Sequence, residues 1–177
     1  MAELTGLADA ETDPPTKAAI MLAVANGFTD QRRFSDARRK LRQATATISS
    51  KHPCYPRLLL AVAVIDIREE NWEAALKKLG KIIEKYDGVL KIDDNGDVFE
   101  EIQRNRGIAV FELNRLREAL PLLQSVRKIE YQKERTLYSI AASNIALKDY
   151  DAAIRISGTA FAQSEFHLPV LWPLQHG

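Results

Sequence analysis

Apolar residues recur along this chain at three- and four-residue intervals, the spacing that gathers them on one face of an α-helix. Ile20, Met21, Val24, Ala25 and Phe28 set the pattern over 16–30, and Ala37, Leu41, Ala44 and Ile48 continue it over 35–50. Residues 56–69 are apolar almost all round, which predicts a helix buried between neighbours. The clearest amphipath is 71–86. Trp72, Ala75, Leu76, Leu79, Ile82, Ile83 and Tyr86 share one stripe there, while Glu73, Lys77, Lys78, Lys81 and Glu84 lie elsewhere. Four more helices are predicted over 97–113, 115–130, 133–147 and 149–164, the second of them bent by Pro121.

The breaks between these segments have local causes. Asp13 can cap a helix whose first turn tolerates Pro14 and Pro15. Pro53 and Pro56 end the helix before them. Gly88 and the run Asp93-Asp94-Asn95-Gly96 mark 87–97 as the longest connection, with Asp97 as the next cap. Residues 1–15 read as a polar lead-in with a short helical turn around 4–10. Residues 165–177 hold Pro169 and Pro173 and cannot form one regular helix. No segment reads as a strand, so the expected fold class is all-α: eight helices over 16–164, joined by short turns.

A register runs through these helices. Ala37, Ala75, Ala119 and Ala153 each follow, three residues on, a large residue: Phe34, Trp72, Leu116 and Tyr150. Twelve residues before each alanine stands a small one: Ala25, Ala63, Gly107 and Ala141. Four residues after come Leu41, Leu79, Leu123 and Ser157. Two antiparallel helices approach closely only where both present small side chains, and the large residue then fills the wedge beside the crossing. One such hairpin cannot bury both faces, so hairpins stack.

This small–large–small pattern in four copies, over about 18–164, resembles the tetratricopeptide repeat family. The resemblance implies a right-handed superhelical stack of antiparallel helix hairpins, an α-solenoid. It also implies a concave groove lined by the first helix of each hairpin. Carried residue by residue, that groove takes Arg57, Leu60, Val64 and Arg68 from the second hairpin, Arg104, Ile108 and Phe111 from the third, and Arg135 and Tyr138 from the fourth. An apolar floor edged by arginines suits an amphipathic helix or an extended peptide with acidic groups. The opposing reading is that the superhelix is tight and these apolar residues are core. Some family members clamp the C-terminal carboxylate of chaperones, but at the clamp positions starting from the first hairpin only Asn26 matches. Family members usually end in an amphipathic capping helix, and none follows Ser164. The apolar tail, with Leu168, Val170, Leu171 and Trp172, is expected to cap the last hairpin in its place.

Composition narrows the function without naming it. The net charge of +1 over 177 residues provides no field to draw the chain to nucleic acid or an anionic membrane. The apolar run 58–65 is far shorter than the roughly 20 residues of a membrane helix. Cys54, the lone cysteine, favours a reducing, cytoplasmic setting. Candidate chemistry fails at each place it arises. A calcium loop with Gly96 at its sixth position would have Lys91 first and Ile102 twelfth, where carboxylates belong. His52, His167 and His176 show no metal-ligand spacing, and Cys54 with His52 lacks a third orienting group. The basic cluster Arg32, Arg33, Arg38, Arg39, Lys40 and Arg42 encloses Asp36 and reads as a solvated outer face. The sequence therefore predicts no catalytic residue, metal or cofactor. It predicts a scaffold for a protein or peptide partner, or, alternatively, a self-associating module that forms a homodimer through its tail or groove.

Overall fold

The structure, a computed structural model, describes residues 2–90, 96–126 and 134–163. It is all-α, with no strand among the described residues. The helices are α1 (Ala2–Ala10), α2 (Pro14–Asp30), α3 (Phe34–Thr47), α4 (Tyr55–Arg68), α5 (Trp72–Leu90), α6 (Gly96–Glu112), α7 (Leu116–Gln124), α8 (Glu134–Ala146) and α9 (Tyr150–Gln163). Each packs on the next in sequence, and α2 also meets α4, α4 meets α6, and α6 meets α8.

Four turns close the hairpins α2–α3, α4–α5, α6–α7 and α8–α9, and they share one conformation. Arg32, Glu70, Asn114 and Lys148 hold the left-handed backbone, with φ between 57° and 66°. The next residue's N–H reaches back to the carbonyl five residues earlier: Arg33 to Phe28, Asn71 to Asp66, Arg115 to Val110 and Asp149 to Asn144, at 2.8–3.0 Å. This is the Schellman arrangement, which satisfies the orphan carbonyls of a helix end. Each left-handed residue stands five positions before an alanine of the register, so backbone geometry repeats at the spacing of the side-chain pattern. None of the four is glycine, and only Asn114 is a residue type that favours this conformation.

The core follows the same register. Ala25, Ala37, Ala63, Ala75 and Ala119 are fully buried, and so are Leu41, Leu79 and Leu123. Gly107 is small for a reason: a Cβ built on it would lie 2.6 Å from Leu123 Cγ and Cδ2 and 3.2 Å from the Leu123 backbone nitrogen. Phe34, Trp72 and Leu116 are half-buried wedges, whereas Tyr150 is exposed.

Three expectations change. The lead-in contains a full helix, α1, which packs on α2 and places Ala8 in a core cluster with Ala18, Met21 and Leu58. The helix expected to end at Tyr86 departs from helical geometry there (φ −121°, ψ 18°) but runs on to Leu90, so the connection before α6 is shorter than 87–97. Leu90 and Val98 are both buried in one cluster, which explains why the chain stays helical past Tyr86. The α7 helix ends at Gln124, soon after Pro121 removes one ladder hydrogen bond. The turn signals Asp93, Asp94 and Asn95 and the tail 165–177 lie outside the described residues.

Candidate functional site

The first helices of the last three hairpins, α4, α6 and α8, carry all nine residues predicted to line a groove, and these helices touch in sequence order. Two adjoining open hollows lie along this face. The larger, about 380 Å³, is lined by Arg57, Leu60, Val64 and Arg68 of α4 with Asn26 and Asp30 of α2 and Glu101 of α6. The second, about 330 Å³, shares Thr29, Asp30 and Arg68 and adds Trp72 and Arg135. Trp72 is thus both a packing wedge and part of the lining.

The nine residues divide by burial. Arg57, Arg68, Arg135 and Tyr138 are exposed, the last 67% so. Val64, Arg104 and Phe111 are half-buried, and Leu60 is buried but still reaches the hollow floor. Ile108 does not reach the open face. It lies in the core with Val110, Ala119, Leu123 and Ile140, because this part of α6 faces α7 and α8. Phe111 meets Tyr138 edge to face, with ring centroids 6.3 Å apart.

The guanidinium groups differ in how they are satisfied. Arg135 donates to Glu112 Oε1 at 2.9 Å and stacks over the Trp72 ring at 5.6 Å. Arg104 donates from Nε to Thr136 Oγ1 at 3.0 Å, and Thr136 is fully buried. Burial pushes the Arg104 guanidinium below its ordinary value; Glu101 partly restores it, and Arg135 and Arg68 oppose the charge further. Among the described residues, Arg57, Arg68 and Arg104 form no ion pair with a carboxylate.

The sequence missed a buried polar knot behind this face. Asp66, on the last turn of α4, is almost fully buried. Its Oδ1 accepts from Arg38 Nη2 of α3 at 2.7 Å, and its Oδ2 accepts from Lys78 Nζ of α5. Arg38 also grips Glu69 with both terminal nitrogens, at 2.8 and 2.6 Å. That hydrogen bonding raises the Arg38 guanidinium and lowers the Glu69 carboxyl below its ordinary value of 4.5. The knot ties the first two hairpins together at the helix end that carries Arg68. An aspartate ending an apolar run was the one available signal, and it reads equally well as a helix terminator.

Three of the six cations in the basic stretch around α3 are paired with carboxylates. Arg33 and Arg39 pair with Asp36, and Arg38 belongs to the knot. His52 Nδ1 accepts from the Cys54 backbone N–H at 3.2 Å, a turn contact beside an exposed thiol. Among the described residues, no group of three metal-ligating side chains converges, and no helix is long and apolar enough to cross a membrane. No protein-family model matches the chain, and no curated protein resembles it significantly.

Proposed function

We propose that this protein is a tetratricopeptide-like stack of helix hairpins, without catalytic activity, that binds a protein or peptide segment along the face of its first helices. One observation carries this reading: α2, α4, α6 and α8 touch one another in series and leave two adjoining open hollows edged by arginines, of which Arg57 and Arg68 form no ion pair among the described residues. Contact between successive first helices supports a stack curved towards them, since the inner side of a curved stack is its crowded side. Half-buried Val64 and exposed Tyr138 supply apolar anchors, and the arginines supply charge that is free to pair.

Screening the full chain against an array of short peptides tests this. Binders are expected, and Tyr138→Ala and Arg68→Gln should each weaken them several-fold. An array with no binder, or binders indifferent to both substitutions, contradicts the reading. A second reading, self-association, rests on Tyr150 and Ile154 of α9, which are 58% and 69% exposed. Sedimentation of the full chain, alone and as Ile154→Lys, separates the two. A dimer lost on substitution favours self-association, and a monomer throughout favours the scaffold.

A further inference from the structure

Arg104 is the least comfortable charge on the open face. It is half-buried, its Nε is held by Thr136, and its two terminal nitrogens have no acceptor among the described residues. These terminal nitrogens are not among the buried unpartnered atoms, so they reach solvent on a guanidinium already held in place at Nε, and a ligand oxygen can take them up. Arg68 and Arg135 lie within electrostatic reach of it, from the helices on either side. Among the described residues, Arg135 alone of these three cations has an ion-pair partner, Glu112.

We infer that Arg104, with Arg68 beside it, selects a partner segment by taking up a single aspartate or glutamate side chain of that segment. The inference rests on the peptide-binding reading above and names the chemistry it requires. Arg32, Arg57, Arg68, Arg104 and Arg135 against Asp30, Glu70, Glu101 and Glu112 leave one positive charge along this face, which one carboxylate matches. Asp30 and Glu101 line the larger hollow and Asp30 and Glu70 the second, so a polyanion such as nucleic acid would meet repulsion on both sides. Both hollows are open and join through Thr29, Asp30 and Arg68, and Glu101, one helical turn from Arg104 on α6, lines the larger, so a bound chain can continue past Arg68. An acidic side chain in mid-segment fits that shape better than a chain terminus. Two planar terminal N–H groups on Arg104 match the two oxygens of a carboxylate.

The test uses the full chain and two acetylated, amidated pentapeptides, one with a glutamate flanked by leucines and alanines and the other its glutamine twin. Binding is followed through the NMR signals of the arginine Nε–Hε groups. The glutamate peptide should shift Arg104 and bind at least fivefold more tightly than its twin. Arg68→Gln, at an exposed and unpaired residue, should reduce that preference to twofold or less without changing the melting temperature. Arg104→Lys should retain part of it. Equal binding of the twins on this face overturns the inference and leaves the peptide-binding reading standing. Absence of any shift on α4, α6 and α8 overturns both. Inorganic phosphate shifting Arg104 at a lower concentration than acetate overturns the carboxylate assignment.

Discussion

Asp66 and Asn144 occupy one position in two hairpins, and their surroundings differ in kind. Each stands nine residues before its hairpin's register alanine and offers its carbonyl to the same closing turn. Both are almost completely buried. Asp66 is met by Arg38 from the preceding hairpin and Lys78 from its own. Around Asn144 the positions corresponding to Arg38 and Lys78 hold Leu120, from the preceding hairpin, and Ile156, from its own. Asn144 accordingly keeps a buried amide nitrogen with no partner. Val110, at the same position in the third hairpin, resolves the conflict the other way: it shares an apolar cluster with Leu76 and Leu122, which hold the equivalent partner positions. A repeat position can thus be polar or apolar, but only if three residues from two hairpins agree. The second hairpin agrees on charge and the third on hydrophobicity, while the last agrees on neither. That hairpin also exposes Tyr150 and replaces the packing leucine by an exposed Ser157.

Breaking the knot should have the largest effect. Asp66→Ala strands Arg38 and Lys78 against a lost acceptor. It should cost about 3 kcal/mol in chemical denaturation, at the low end for a buried pair because both cations are partly exposed. Repairing the last hairpin should act in the opposite direction. Asn144→Val copies the solution of Val110 and should stabilise by about 1–2 kcal/mol, by removing a buried unsatisfied donor.

The turns supply a control. Releasing a left-handed non-glycine residue yields about 1–2 kcal/mol, and the freedom of glycine in the unfolded chain returns about 0.5–1 of it. Glu70→Gly and Lys148→Gly should therefore each raise stability by about 0.5 kcal/mol, and by equal amounts, since the two turns are alike. Unequal effects would place the difference between the hairpins in the turn rather than in the buried partners.

The smallest expected effect concerns acid. Glu69 is held below 4.5 chiefly by its hydrogen bonds to Arg38. A carboxyl depressed on folding contributes stability that is complete above its unfolded value and lost as pH falls through its folded one. Glu69→Gln should leave a shallower loss of stability below about pH 4.5, by under about 0.5 kcal/mol because the pair is partly exposed. An unchanged acid limb in pH-dependent melting would remove Glu69 from the knot's energetics.

The parts of this picture legible in the sequence are those set by spacing. Alanines at helix crossings, leucines four residues on and wedges three residues before are local patterns, and the register built on them located the buried core of the first three hairpins. Arg57, Arg68, Arg104, Arg135 and Tyr138, assigned to first helices by the family resemblance carried on that register, lie on α4, α6 and α8. Relations between distant positions stayed hidden. Arg38 and Asp66 are 28 residues apart, and nothing in either helix's periodicity says that they meet. The burial of Ile108 depends on how α6 sits against α7 and α8, which a groove assignment from one helix cannot see. The turn conformation had a signal only at Asn114, a residue type that favours it; arginine, glutamate and lysine stand at the other three turns, where glycine would have announced it.

Native-state hydrogen exchange across the two hairpins tests most directly whether partner agreement, rather than the shared turn, sets their stability. Amides of α4 and α5 should open at a higher free energy than those of α8 and α9, and Asn144→Val should narrow that gap by raising α8 and α9 alone. Equal protection of the two hairpins, or a gap that Asn144→Val leaves untouched, would contradict the account.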